Sequence, residues 1–222
     1  MKVLKSLFVA TALFAGLAGS SAALTITKSP DLGAYWSPIS NNSTYIYANS
    51  FVASAGGNVT GLGTWLLGDD GPDIRFQVYG SIGGNPANGP DSTNVLATTG
   101  VIAGMSLNSL TFIDGGLVTS LMALTMGETY WFGASVVGIA GGGSGSYQTG
   151  GHTQNSAFAD NGTFWYSNDV NGLLFDGQAL TPEMAFSVTI DSAVVPEPDS
   201  LALLALGLLA AGTLRARRAI KT

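Results

Sequence analysis

Apolar and polar residues alternate along much of the chain with a period of two. Ile74, Phe76 and Val78 alternate with Arg75, Gln77 and Tyr79, and Phe186, Val188 and Ile190 alternate with Ser187, Thr189 and Asp191. Successive side chains of a strand point to opposite faces, so this pattern predicts strands with one buried face. Leu110 and Phe112 flank Thr111 in the same way. Tyr130-Trp131-Phe132 and Phe164-Trp165-Tyr166 are aromatic runs of strand type, and Leu62–Leu67, broken by Gly63, reads as another strand. Turn clusters separate these runs: Gly56-Gly57-Asn58, Gly68-Asp69-Asp70-Gly71-Pro72-Asp73, Gly83-Gly84-Asn85-Pro86, Asp114-Gly115-Gly116 and Asn171-Gly172. Before the C-terminal tail no long amphipathic helix is indicated. The expected fold is all-β, an antiparallel β-sandwich or jelly roll. The glycine- and serine-rich stretch Gly138–Gly151 is expected to be a long mobile loop.

Both ends break the pattern. Lys2 and Lys5 precede the apolar run Leu7 to Ala18, which covers about 18 Å as a helix. Ser21-Ala22-Ala23 then supplies small residues. This is the order of a signal peptide, with cleavage by signal peptidase expected between Ala23 and Leu24. At the other end comes Val195-Pro196-Glu197-Pro198, whose prolines keep the backbone extended. An uncharged span from Leu201 to Leu214 comes next, containing Leu203, Leu204, Leu206, Leu208 and Leu209. As a helix it covers about 21 Å, short of the ~30 Å hydrocarbon core. Arg215, Arg217, Arg218 and Lys221 close the chain. Basic residues stay cytoplasmic, so the body before the span is expected outside.

The sequence thus divides into a signal peptide (1–23), a β-sandwich extracellular body (24–194) and a tail (195–222) with a short transmembrane helix. The net charge of -6 conceals an asymmetry, because the ends hold most of the cations. From Leu24 to Val195 there are twelve acids against Lys28 and Arg75, a net of about -10. Such a surface repels nucleic acid and anionic headgroups. Cysteine is absent, which excludes disulfides and thiolate metal sites.

Val-Pro-Glu-Pro, a short Leu/Ala/Gly span and a final Arg-Ala-Arg-Arg together resemble the PEP-CTERM sorting signal. That resemblance implies an exosortase-type sorting enzyme as partner, cleavage near Pro196-Glu197-Pro198, transient anchoring in the inner membrane, and surface or extracellular delivery. It also implies an association with exopolysaccharide and biofilm matrix. The body resembles, more loosely, the "choice-of-anchor" domains, through Asp73 to Gly80, Gly83-Gly84-Asn85-Pro86 and Leu124 to Phe132. This implies a sandwich and brings no catalytic residues.

Candidate chemistry in the body is sparse. His152 is the only histidine, so any serine triad must use it, and it sits beside the glycine-rich stretch. Glu128 and Glu183 are the only glutamates available as a glycosidase pair, and both read as solvated turn residues. Asp69, Asp70 and Asp73 share one turn and offer oxygen ligands for calcium, although their spacing does not match the twelve-residue calcium loop. A solvent-exposed turn is the favoured reading, so calcium is the one cofactor left open. Trp36, Trp65, Trp131 and Trp165, with Tyr35, Tyr45, Tyr47 and Tyr166, are candidates for stacking on sugars, although a sandwich core also needs aromatics. Thr25-Ile26-Thr27 sets two threonines on one strand face. The expectation is a non-enzymatic exported surface or matrix protein. A carbohydrate-binding module is the alternative and a secreted hydrolase the more remote one. The pattern does not name the ligand-binding residues.

Overall fold

The alternation at Ile74–Val78 does form a strand, and it packs Ile74, Phe76 and Val78 fully inside. The computed structural model describes residues 22–31, 39–41, 45–139, 141–152, 164–168, 175, 177–179 and 183–192. The signal residues before Ala22 and the whole tail, with its sorting motif, span and arginines, lie outside these. So do Tyr35, Trp36 and Asn171-Gly172. The described residues form β1 (Ala22–Lys28), β2 (Ile46–Val52), β3 (Asn58–Asp69), β4 (Arg75–Ser81), β5 (Pro90–Thr99), β6 (Leu107–Asp114) and β7 (Val118–Ser120). They continue with β8 (Thr129–Ser135), β9 (Ser146–Thr149), β10 (Gly151–His152), β11 (Phe164–Ser167), β12 (Gly177–Ala179), β13 (Glu183–Met184) and β14 (Phe186–Ser192). The only helical pieces among them are two short 3-10 turns at Ile82–Gly84 and Pro86–Asn88. No described helix is long and apolar enough to cross a membrane.

The domain is all-β and its strand pairs are antiparallel. One sheet runs β1-β14-β3-β6, with β9 also paired to β3, and the other runs β12-β11-β2-β8-β4-β5-β7. A short pair, β10-β13, stands beside them. A shared core holds them together: Leu62, Leu66 and Val188 from the first sheet belong to one buried cluster with Phe76, Val78 and Phe132 from the second. Phe186 of β14 stacks on Phe132 of β8, with centroids 5.0 Å apart and planes 10° apart. A smaller cluster of Ile46, Ala48, Tyr79, Trp131 and Phe175 covers the other face of the larger sheet. The aromatic runs at 130–132 and 164–166 therefore pack on both faces of their strands: Trp131, Phe132 and Phe164 are buried, and Tyr130, Trp165 and Tyr166 are partly buried.

Two expectations are corrected here. Gly138–Gly151 is not simply a mobile loop, because it contains β9, and Tyr147 within it is fully buried. Glycines 143 and 145 permit the close packing: a Cβ on either would collide with the backbone of Asp70 or Asp69. The apolar face of β6 is also the reverse of the one its alternation suggests. Trp65 pairs with Phe112 and Thr64 with Ile113, so Thr64 and Ile113 face inward while Phe112 faces solvent.

Candidate functional site

The outer face of the β1-β14-β3-β6 sheet carries a built arrangement of side chains. Thr25 and Thr27 do share one strand face, and each meets a hydroxyl on β14. Thr25 Oγ1 lies 3.0 Å from Thr189 Oγ1, and Thr27 Oγ1 lies 3.2 Å from Ser187 Oγ. The strand register continues both rows, placing Thr189 opposite Gly61 and Ser187 opposite Gly63. Gly63 in turn lies opposite Asp114. Two rows of hydroxyls thus lead onto a floor of two glycines.

An aromatic step closes the far side. The Phe112 ring lies directly over Gly63. Trp65 packs against it with centroids 4.7 Å apart and planes at 58°. Phe112 is 43 % exposed, a large apolar surface for one side chain to leave in water. Apolar ring faces beside hydroxyls and a carboxylate are the chemistry that stacks on a sugar ring and bonds its hydroxyl groups. Of the other candidate aromatics, Trp131 and Tyr47 are buried in the two clusters. Trp165 packs over Gly89, and Tyr45 and Tyr166 lie against the main core.

The electrostatics of this face are set by where the two body cations go. Lys28 is fully buried and ion-paired to Glu183 at 2.5 Å. Arg75 is half-buried and donates from Nη2 to the Val137 carbonyl at 2.6 Å. Among the described body residues no other lysine or arginine remains, so the exposed charges are acidic. Such a face suits uncharged sugars better than acidic ones.

The three clustered aspartates act as separate tethers. Asp69 Oδ1 accepts from Ser106 Oγ at 2.6 Å, Asp70 Oδ2 accepts from Ser144 N at 2.9 Å, and Asp73 Oδ1 accepts from Gly104 N at 2.7 Å. Among the described residues no group of three or more His, Cys, Asp or Glu forms a metal site. The glutamates differ from each other. Glu128 is exposed in the expected turn, whereas Glu183 is 1 % exposed, which corrects the solvated turn expected for it. His152 lies in β10, opposite Glu183 on β13. Sequence reasoning missed Phe112 as a surface aromatic, because the register that sets it beside Trp65 and over Gly63 is not recorded in the local pattern. Ala23 and Leu24, the expected cleavage residues, belong to β1.

The body is therefore an all-β domain with a polar and aromatic outer sheet face. The tail is more specific: residues 194–218 match the family described as the PEP-CTERM protein-sorting motif. That motif implies export, a membrane-anchored C-terminal tail and exosortase processing. No curated protein matches the chain.

Proposed function

We propose that this chain is a non-enzymatic surface or matrix protein. Its leader, 1–23, exports it and is removed by signal peptidase. Leu201–Leu214 holds it in the inner membrane, with the arginines on the cytoplasmic side. An exosortase then cuts near Pro196-Glu197-Pro198, and the body is delivered to the surface or to an exopolysaccharide matrix. No cofactor is needed for this reading. The observation that carries it is adjacency: the compact unit ends at Ser192 and the sorting-motif match begins at residue 194. The test is a reporter carrying residues 195–222 in an exosortase-bearing host. Deleting the exosortase should leave a longer reporter in the membrane fraction, and an unchanged size and location would sink the idea.

The second reading, favoured by the outer sheet face, is that the body binds a polysaccharide. Trp65 and Phe112 supply the stacking surface, and Thr25, Thr27, Ser187, Thr189 and Asp114 supply the polar rim. Calorimetric titration of the purified protein with neutral matrix polysaccharide should give saturable heat. No heat, with or without calcium, removes this reading.

A further inference from the structure

The segment between β7 and β8 exposes large apolar side chains that the sorting and binding readings leave unused. Leu121, Met122 and Met126 are 62 %, 61 % and 71 % exposed. Apolar residues exposed singly are ordinary, but a cluster of them marks an interaction surface. The segment is pinned to the body. Leu124, in its middle, is buried and exchanges backbone hydrogen bonds with Gly57 at 2.7 and 3.0 Å. Gly127 N donates to the Ala53 carbonyl at 2.8 Å, and Ser120 Oγ accepts from the Val59 N–H at 3.3 Å. The segment therefore lies against the turn that joins β2 to β3. β14 finishes at the same end, since Asp191 pairs with Asn58, next to Gly57. β1 begins there too, because Thr25 meets Thr189 and Thr27 meets Ser187, which sets it antiparallel to β14.

We propose that this segment docks on the lipid surface while the tail still anchors the chain, inserting Leu121, Met122 and Met126 among zwitterionic headgroups. The proposal rests on the reading of the tail as a membrane anchor, and chain length argues for the occupant. Eight residues, 193–200, separate the end of β14 at Ser192 from Leu201, where the uncharged span begins. Fully extended, they reach less than about 30 Å at ~3.3–3.6 Å per residue. Whatever path they take, Ser192 stays within that distance of the membrane the span enters. Such a tether confines the patch at an effective concentration of order millimolar, so weak affinity suffices. Leucine and flexible methionine side chains gain by leaving water for the boundary between headgroups and acyl chains. Charge selects the lipid. Glu128 and Asp191 are exposed at this end, whereas Lys28 is buried and Arg75 donates to the Val137 carbonyl. With no exposed lysine or arginine among the described residues, anionic headgroups are repelled and zwitterionic ones are not. A cut near Pro196-Glu197-Pro198 removes the tether, and weak affinity alone then lets the body leave.

The chain has no cysteine, so a single probe can be placed by substitution. The test uses the full chain in phosphatidylcholine vesicles, with Met126→Cys carrying a polarity-sensitive fluorophore. Its emission should shift to the blue and be quenched by doxyl-labelled lipid, and a label at Met122→Cys should behave alike. A label at Val101→Cys should do neither, because Val101 is 57 % exposed at the opposite end, where Ile102 bridges Ile74. Leu121→Asp with Met126→Asp should abolish quenching at residue 122 while the chain still floats with the vesicles in a density gradient. A chain that floats with its residue-126 label in water overturns this proposal alone. A chain that does not float overturns the anchoring reading with it. A blue shift without lipid quenching puts a second copy of the chain on the patch and overturns the proposal as well. Stronger quenching on phosphatidylglycerol vesicles overturns the zwitterionic assignment.

Discussion

The ring of Phe112 occupies the space where Gly63 would carry a side chain. A Cβ on Gly63 would collide with Phe112 Cζ and stand 2.8 Å from the Ile113 carbonyl oxygen. One residue's missing side chain therefore sets the position of an exposed aromatic on the next strand. Gly63→Ala should push the ring aside and destabilise the fold by about 1–3 kcal/mol, the usual range for overpacking. Urea unfolding measures this. Gly61→Ala, whose Cβ would meet Thr189 Cβ at 3.1 Å, should cost less.

If the outer face binds a polysaccharide, Trp65→Ala and Phe112→Ala should each weaken it. Loss of one stacking contact is worth about 0.5–1.5 kcal/mol, a ~2- to 10-fold drop in affinity by calorimetry. Because Phe112 is 43 % exposed, its substitution should lower the unfolding midpoint less than that of a buried core phenylalanine such as Phe132. Unaltered affinity in both variants would move the binding site elsewhere.

Lys28 and Glu183 should be far more sensitive. Removing one partner of a buried pair strands the other charge, at about 3–5 kcal/mol. Lys28→Met alone is expected to lose that much in chemical denaturation. Lys28→Met combined with Glu183→Met should recover part of it, since no charge then remains buried alone.

Alkaline pH should weaken the fold through two tyrosines. Burial raises the hydroxyl of Tyr79 well above the usual range, against a smaller opposing effect of Arg75. Burial also raises Tyr147, whose oxygen accepts from the Met105 N–H. The native state keeps these protons after the unfolded chain releases them. Their contribution is therefore complete below the ordinary tyrosine value of about 10, and it declines as pH rises above it. Unfolding free energy measured against pH should fall in that window, and tyrosinate absorbance should appear late. Tyr147→Phe should reduce the alkaline loss while lowering stability at neutral pH.

Asp70 is the one non-glycine residue with positive φ among the described residues, at 48°. Asparagine tolerates this left-handed region and keeps an acceptor for Ser144, so Asp70→Asn should fall within about 1 kcal/mol of the natural protein. Asp70→Val, β-branched and without an acceptor, should lose about 1–3 kcal/mol in thermal or urea unfolding.

The strands at Ile74–Val78 and Phe186–Ile190 were legible because alternation is a local property of the chain. β9 was not legible. Its glycine-rich flanks read as loop, and its partner β3 lies almost eighty residues earlier in sequence. The site was legible only as a list of aromatics. Trp65 and Trp131 look alike in sequence, yet one lines an open face and the other fills a closed cluster.

The sequence by itself determined the all-β class, the acidic body and the address in the tail, since periodicity, charge and a linear motif survive without any fold. The tertiary structure alone decided which face of β6 meets solvent, and it brought Lys28 and Glu183 together as a buried pair. Those outcomes depend on strand register and on contacts between distant segments. A one-residue change of register exchanges the two faces of a strand, and no local pattern records which neighbour a strand will find.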